Sequence, residues 1–181
     1  MVRARVTLLR DLGSALAPDN AFGIIQGLET VALRMKQHCL NAEKTVEYLS
    51  KHKNVARVIY PTKYDGEIGK RAKKYLKGGY GGLVGIELKG GIEAGKKFIE
   101  ALKMFYHVAN IGDARSLAIH PGSTTHSQLN EKELLAAGVT PGYVRLAIGI
   151  EHIDDIIEDL EQALNRASDN IENIKKAKAV G

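Results

Sequence analysis

The segment YVRLAIGIE, Tyr143–Glu151, reads as a buried strand running into a turn, and the kind of fold follows from what brackets it. Tyr143 to Ile148 are apolar, aromatic or β-branched apart from one residue, and Pro141–Gly142 just before them is a turn signal. Beyond it Ile153, Ile156, Ile157, Leu160 and Leu164 recur at helical spacing as far as Arg166. A strand between a turn and an amphipathic helix is the unit of an α/β layer. The exception within the strand is Arg145. A buried arginine is costly unless an anion answers it, and its planar fork grips a carboxylate through two parallel hydrogen bonds. The bland alternative is an arginine at the strand edge, ion-paired with Glu151 or Asp113.

Working outward, ANIGDARSLAIHPGSTTH (Ala109–His126) sets a glycine-containing turn, short hydroxyl side chains and two histidines around the apolar run Leu117–Ile119. NEKELLAAG (Asn130–Gly138) predicts a short helix capped by Asn130 and stopped by Gly138. Further upstream, GGYGGLVGIELKGG (Gly78–Gly91) predicts a turn, a buried strand from Leu83 to Leu88 and a second turn. Its glycines lack G-x-G-x-x-G spacing and precede a strand rather than follow one, so they read as a turn or bulge and not as a phosphate cradle. Ile92–Lys103 predicts a helix, Asp65–Lys77 a basic and moderately helical stretch, and VARVIYP (Val55–Pro61) a strand stopped by proline. From the start signal Pro18-Asp19-Asn20, apolar residues at Ile24, Leu28, Val31, Met35, Cys39, Ala42, Val46 and Leu49 predict one long helix. Gly23 and Gly27 within it imply close packing or a distorted first turn. The expected architecture is α/β, a short mixed or mostly antiparallel sheet covered by helices and preceded by a long helix. The division is 1–53 for the leading segment and helix, 54–168 for the small α/β domain, and 169–181 for a frayed basic tail.

The chain has 181 residues, 44% hydrophobic and 26% charged, as expected of one globular domain with an appended helical arm. Its net charge of +5 comes from 26 basic and 21 acidic residues that are interspersed, with no aromatic-interleaved basic stripe, so a solvated surface is preferred to nucleic-acid binding. A single cysteine, Cys39, excludes an intramolecular disulfide and a multi-cysteine metal site. His38, His52, His107 and His152 have no metal-ligand spacing and read as surface or helix residues. No apolar run approaches a membrane span and the N-terminus lacks the pattern of a signal peptide, so the cytoplasm is the expected compartment.

LLRDLGSALAPDNAFGIIQGLETVALRMKQHCLNA (Leu8–Ala42), the 109–126 loop and HSQLNEKELLAAGVTPGYVRLAIGIE (His126–Glu151) together resemble the C-terminal part of the Cys/Met-metabolism family of pyridoxal-phosphate enzymes, within it the O-acetylhomoserine sulfhydrylase branch. The resemblance runs from about Ala4 to Ser168. It implies the small C-terminal domain of a fold-type-I transferase, and pyridoxal 5'-phosphate as the cofactor of the full enzyme. It also implies that the cofactor lysine, in a Ser-x-Thr-Lys context, lies upstream of this chain. Lys63, in PTKYDG, comes nearest but follows a strand at the wrong point. The expectation is therefore that no residue of this chain is catalytic or holds the cofactor, and that the chain alone is inactive.

For the substrate, the resemblance places Arg145 and Ser116 on an amino-acid α-carboxylate with Asn110 beside them, and Thr125 completes the expected set. Ser116 and Asn110 equally suit local backbone bonding in a turn. His120 and His126 suit support of the loop better than acid–base work. Arg115 stands where related cystathionine synthases and lyases carry glutamate, which favours the sulfhydrylase branch, although a cystathionine γ-synthase-like fragment stays open. Expected partners are a small amino-acid substrate, the missing cofactor-bearing part or a complete subunit, and further copies in a homo-oligomer. Two alternatives remain: a non-catalytic interaction or complementing module, and a small domain that binds a carboxylate for regulation.

Overall fold

The computed structural model describes residues 1–13 and 15–179. They fall into two compact units, Met1–Arg34 and Met35–Gly181. The second takes in the part of the long helix that the sequence division gave to the leading segment.

In the first unit, Ala4–Asp11 winds as a π-helix and α1 spans Pro18–Glu29, with Pro18 at the first turn and Asp19 beside the positive helix terminus. Neither element buries a residue. The expected single long helix is broken at Thr30, and α2 spans Val31–Lys51. The break has a local cause. The Thr30 hydroxyl donates back to the Gln26 carbonyl at 3.5 Å, and the Arg34 guanidinium takes the Gly27 carbonyl at 2.5 Å. That carbonyl is the one a continuous helix offers to residue 31.

The second unit is a five-stranded sheet in the order β1-β2-β5-β4-β3. The strands are β1 (Val55–Ile59), β2 (Leu83–Leu88), β3 (Tyr106–His107), β4 (Leu117–Ile119) and β5 (Tyr143–Ala147). Pairing is antiparallel except for the β3–β4 edge, so the sheet is mixed, as the alternation of strands and helices implied. Strand β2 has the expected bounds, whereas β3 was invisible in the sequence because two residues carry no period.

Helices α3 (Gly66–Tyr75), α4 (Gly91–Ala101), α5 (Glu131–Ala136) and α6 (Ile153–Ala179) complete the unit. Asn130 caps α5 as predicted, in a reciprocal box with Glu133, and Gly138 follows with φ +76°. The backbone of α6 continues past Arg166 to Ala179, through most of the stretch expected to fray; residues 180–181 lie outside the described residues.

One face of the sheet makes the core. Val84, Ile86 and Leu88 of β2 and Val144 and Leu146 of β5 are buried with Phe98 of α4, Leu160 and Leu164 of α6, and Val46 and Leu49 of α2. Each such side chain contributes about 1.5–3 kcal/mol relative to exposure. A carboxylate is also built into this layer. The buried Asp159 carboxylate of α6 accepts the backbone N–H groups of Lys103 and Met104, both at 2.9 Å, and of Phe105 at 3.2 Å. It thereby closes the turn between α4 and β3. Asp159→Ala leaves those donors unanswered, and urea denaturation is expected to show a loss of about 2–4 kcal/mol; an unchanged midpoint would contradict this role.

Candidate functional site

Antiparallel pairing places Arg145 opposite Gly85 on one side and Ile119 on the other. Core residues Val144 and Leu146 flank it in sequence, so the two-residue period turns Arg145 to the opposite face of the sheet. Its side chain is half-buried. Nη2 donates to the Asn110 carbonyl at 3.3 Å, while Nε is buried with no partner. No ion pair with Glu151 or Asp113 forms among the described residues, so the bland ion-pair reading of Arg145 is not what the structure shows. A guanidinium held by one long hydrogen bond retains unused donors for an anion.

The residues expected around it divide. Asn110 is beside Arg145, but through its backbone carbonyl; its side-chain oxygen accepts the Ile111 N–H at 2.9 Å. Ser116 is fully buried, and its hydroxyl is engaged on both sides. It donates to Glu151 Oε2 at 2.9 Å and accepts from the Gly149 N–H at 2.9 Å, while its own N–H donates to Glu151 Oε1 at 2.6 Å. Thr125 is exposed and pairs with His126 Nδ1 at 2.9 Å; no hydrogen bond joins it to Arg145, Asn110 or Ser116 among the described residues.

Sequence reasoning passed over the residues that hold this arrangement. Asn41 of α2 donates to the carbonyls of Gly149 at 3.0 Å and Glu151 at 2.8 Å, and His38 Nδ1 lies 2.6 Å from the Ile148 carbonyl. Both are buried, so His38 is a core residue rather than a surface one. Gly149 has no room for a side chain: a Cβ would strike the Ala114 carbonyl and the Glu151 carboxylate. The available signal was a polar pair, His38 and Asn41, on one face of a helix otherwise patterned for a core.

Arg115 lies over the Tyr106 ring at 4.8 Å and donates to its hydroxyl at 2.6 Å, beside Lys103 and His107. On the face that carries Arg145, a cleft of about 540 Å³ runs between α3 and the sheet, bounded by Tyr64, Ile68, Leu76 and Tyr143. Burial pushes the Tyr143 hydroxyl above its ordinary range, opposed by Arg145.

His120 supports the loop, as its bland reading held. It is buried, with Nδ1 2.8 Å from the Ser123 hydroxyl and Nε2 2.9 Å from the Pro141 carbonyl. Burial holds its ring below the ordinary value of 6.5, against the opposing Pro141 hydrogen bond. His52, whose ring contacts Tyr48 and faces Glu161, is lowered for the same reason.

The family model described as Cys/Met metabolism PLP-dependent enzyme matches residues 2–165. The O-acetyl-L-homoserine sulfhydrylase of Leptospira meyeri is 54% identical over 165 residues, 91% of this chain and 37% of that protein. The homocysteine synthase of Schizosaccharomyces pombe is 47% identical over 90% of this chain and 38% of its own length. An L-methionine gamma-lyase of Fusobacterium nucleatum subsp. polymorphum is 44% identical over 87% of this chain and 40% of its length. Among solved structures, a protein named as an O-acetylhomoserine (thiol)-lyase of Campylobacter jejuni, containing a pyridoxyl-lysine phosphate, aligns with TM-score 0.81 and 44% identity over 91% of this chain and 39% of that one. The chain thus spans about two fifths of the length of the curated relatives it matches.

Two histidines, His120 and His52, give a pH dependence of fixed sign. The unfolded chain takes up their protons at a higher pH than the folded chain does. The stability carried by the neutral rings is therefore complete above pH 6.5 and declines as the pH falls below it. Urea denaturation between pH 7.5 and 5 is expected to show that decline, and His120→Gln a shallower one; an equal slope in the variant would remove His120 from the account.

Proposed function

This chain belongs to the Cys/Met metabolism PLP-dependent enzyme family, and we propose that it supplies the substrate-carboxylate clamp of an O-acetylhomoserine sulfhydrylase. The full enzyme replaces the acetoxy group of O-acetyl-L-homoserine with sulfide, giving homocysteine and acetate. One observation carries the reading: Arg145 projects from a central strand with its Nε buried and unanswered and only a carbonyl on Nη2. An amino acid's α-carboxylate supplies the two acceptors that this fork lacks.

The other residues take graded roles. Asn110 narrows the approach to Arg145 through its carbonyl. Ser116, locked onto Glu151, positions the loop that carries Asn110. Thr125, exposed and paired with His126, completes the proposed set. Arg115 brings a cation to a position where a glutamate would bring an anion, which favours the sulfhydrylase over a lyase. Pyridoxal phosphate supplies the electron sink in the family's chemistry. The residues described here do not fit it. The lysines between Lys36 and Lys132 are exposed or, for Lys97, half-buried, and the Gly78–Gly82 stretch leads into β2 rather than from a strand into a helix. This chain's own residues bind and orient. The cofactor lysine belongs to the remainder of the length that the relatives span, and the working enzyme is proposed to be a homo-oligomer in the cytoplasm. None of the described helices is long and apolar enough to cross a membrane.

The test is acetate release from O-acetyl-L-homoserine with sulfide. The chain of residues 1–181 is expected to release none by itself. In the polypeptide that joins it to the remaining family length, Arg145→Met is expected to raise the Michaelis constant about 10- to 100-fold, equivalent to a lost charge-assisted contact of about 1.5–3 kcal/mol. An unchanged Michaelis constant would overturn the clamp.

A further inference from the structure

We propose that the cleft between α3 and the sheet binds a small carboxylate with an apolar tail, head group on Arg145 and tail along α3. This rests on the reading of Arg145 as a carboxylate clamp and adds a second class of ligand for the same guanidinium.

The walls argue for the tail. The cleft, about 540 Å³, lies within the roughly 300–1,000 Å³ of small-ligand pockets. Ile59, Ile68, Leu76 and Leu83 line it with the rings of Tyr64 and Tyr143. Ile68 is 58% exposed, and Leu76 and Leu83 40% each, so the apolar walls stand open to solvent. The floor depends on a missing side chain. A Cβ at Gly85 would lie 2.8 Å from Tyr143 Cε2 and 3.1 Å from the Ile59 Cβ. Glycine at that position lets the Tyr143 ring lie across β2 and pave the cleft beside Arg145.

The charges argue for the head group. The two charged lining residues are Arg145 and Arg71, and no acid lines the cleft among the described residues. Arg71 is already tied to Glu67 at 3.3 Å, one turn away on α3. Arg145 is the group with an unanswered buried N–H. A neutral apolar ligand would leave that donor as it is, and a cationic one would be repelled. A carboxylate answers it, while its tail covers the exposed apolar walls. An amino-acid substrate needs the same guanidinium, so the two ligands exclude each other.

The chain of residues 1–181 is titrated at neutral pH with acetate, butyrate and hexanoate by calorimetry, and hexanoate is then competed against O-acetyl-L-homoserine. Affinity is expected to rise about fourfold per added methylene. Leu76→Asp is expected to flatten the series so that hexanoate binds no better than acetate. Arg145→Met is expected to weaken hexanoate at least about tenfold, the loss of one charge-assisted contact. A flat series in the unsubstituted chain, or a full slope surviving Leu76→Asp, overturns the cleft assignment, the latter by placing the tail elsewhere on the molecule. Hexanoate binding that ignores Arg145→Met overturns the head-group assignment. If O-acetyl-L-homoserine fails to bind while the series keeps its slope and its dependence on Arg145, the substrate clamp falls and the cleft stands.

Discussion

Glu151 sets its carboxylate against both donors of Ser116, the backbone N–H and the hydroxyl, and the approach to Arg145 depends on that closure. Ser116 is fully buried, so each donor left without an acceptor would cost about 1–3 kcal/mol. The hydroxyl's own oxygen is answered by the Gly149 N–H, and Asn41 answers the carbonyls of Gly149 and Glu151. The turn after β5 can therefore lie under α2 with its polar groups satisfied. The Ala114 carbonyl, which accepts the Ile150 N–H at 2.9 Å, ties the preceding loop to the same turn. Held at that end, the loop delivers the Asn110 carbonyl to Arg145.

That delivery leaves Arg145 partly answered, and the partial answer is what suits it to the proposed clamp. A guanidinium with every donor engaged would bind nothing further, and one wholly in solvent would have to be desolvated and ordered before gripping a ligand. Here one long bond to a carbonyl orients the fork while Nε stays free in a dry setting. Ordering a side chain before the ligand arrives removes part of the entropic cost of binding.

The strands and their arginine were readable because they obey local rules. β2 and β5 are bounded by glycine and proline turns, and a lone cation in an apolar strand stands out. The α5 cap was readable because Asn130 and Glu133 carry the whole box within four residues. What escaped depends on residues far apart in sequence. Ser116 lies 35 positions from Glu151, and Asn41 lies 108 from Gly149, so nothing near Ser116 shows that its hydroxyl is already engaged. The resemblance pointed to this loop and strand; which atoms remained free was a tertiary fact. The break at Thr30 escaped for a related reason, since the apolar spacing runs on through it while a side chain, Arg34, captures the carbonyl that continuity needs.

The direction in which Arg145 points is itself a consequence of the core. Strand side chains alternate, so slipping β5 by one residue against β2 would carry Arg145 into the layer with Phe98 and Leu160 and turn Val144 and Leu146 out to solvent. An unpaired guanidinium in that layer would be far more costly than any gain from such a slip. β5 is also held on both edges, by β2 and β4, and is therefore among the most constrained strands of the sheet. A binding group on such a strand inherits its precision, whereas the same group on a loop would need further bonds to hold it. The apolar residues of β5 thus bear on the proposed clamp without lining it: burying them specifies the face from which Arg145 reaches out.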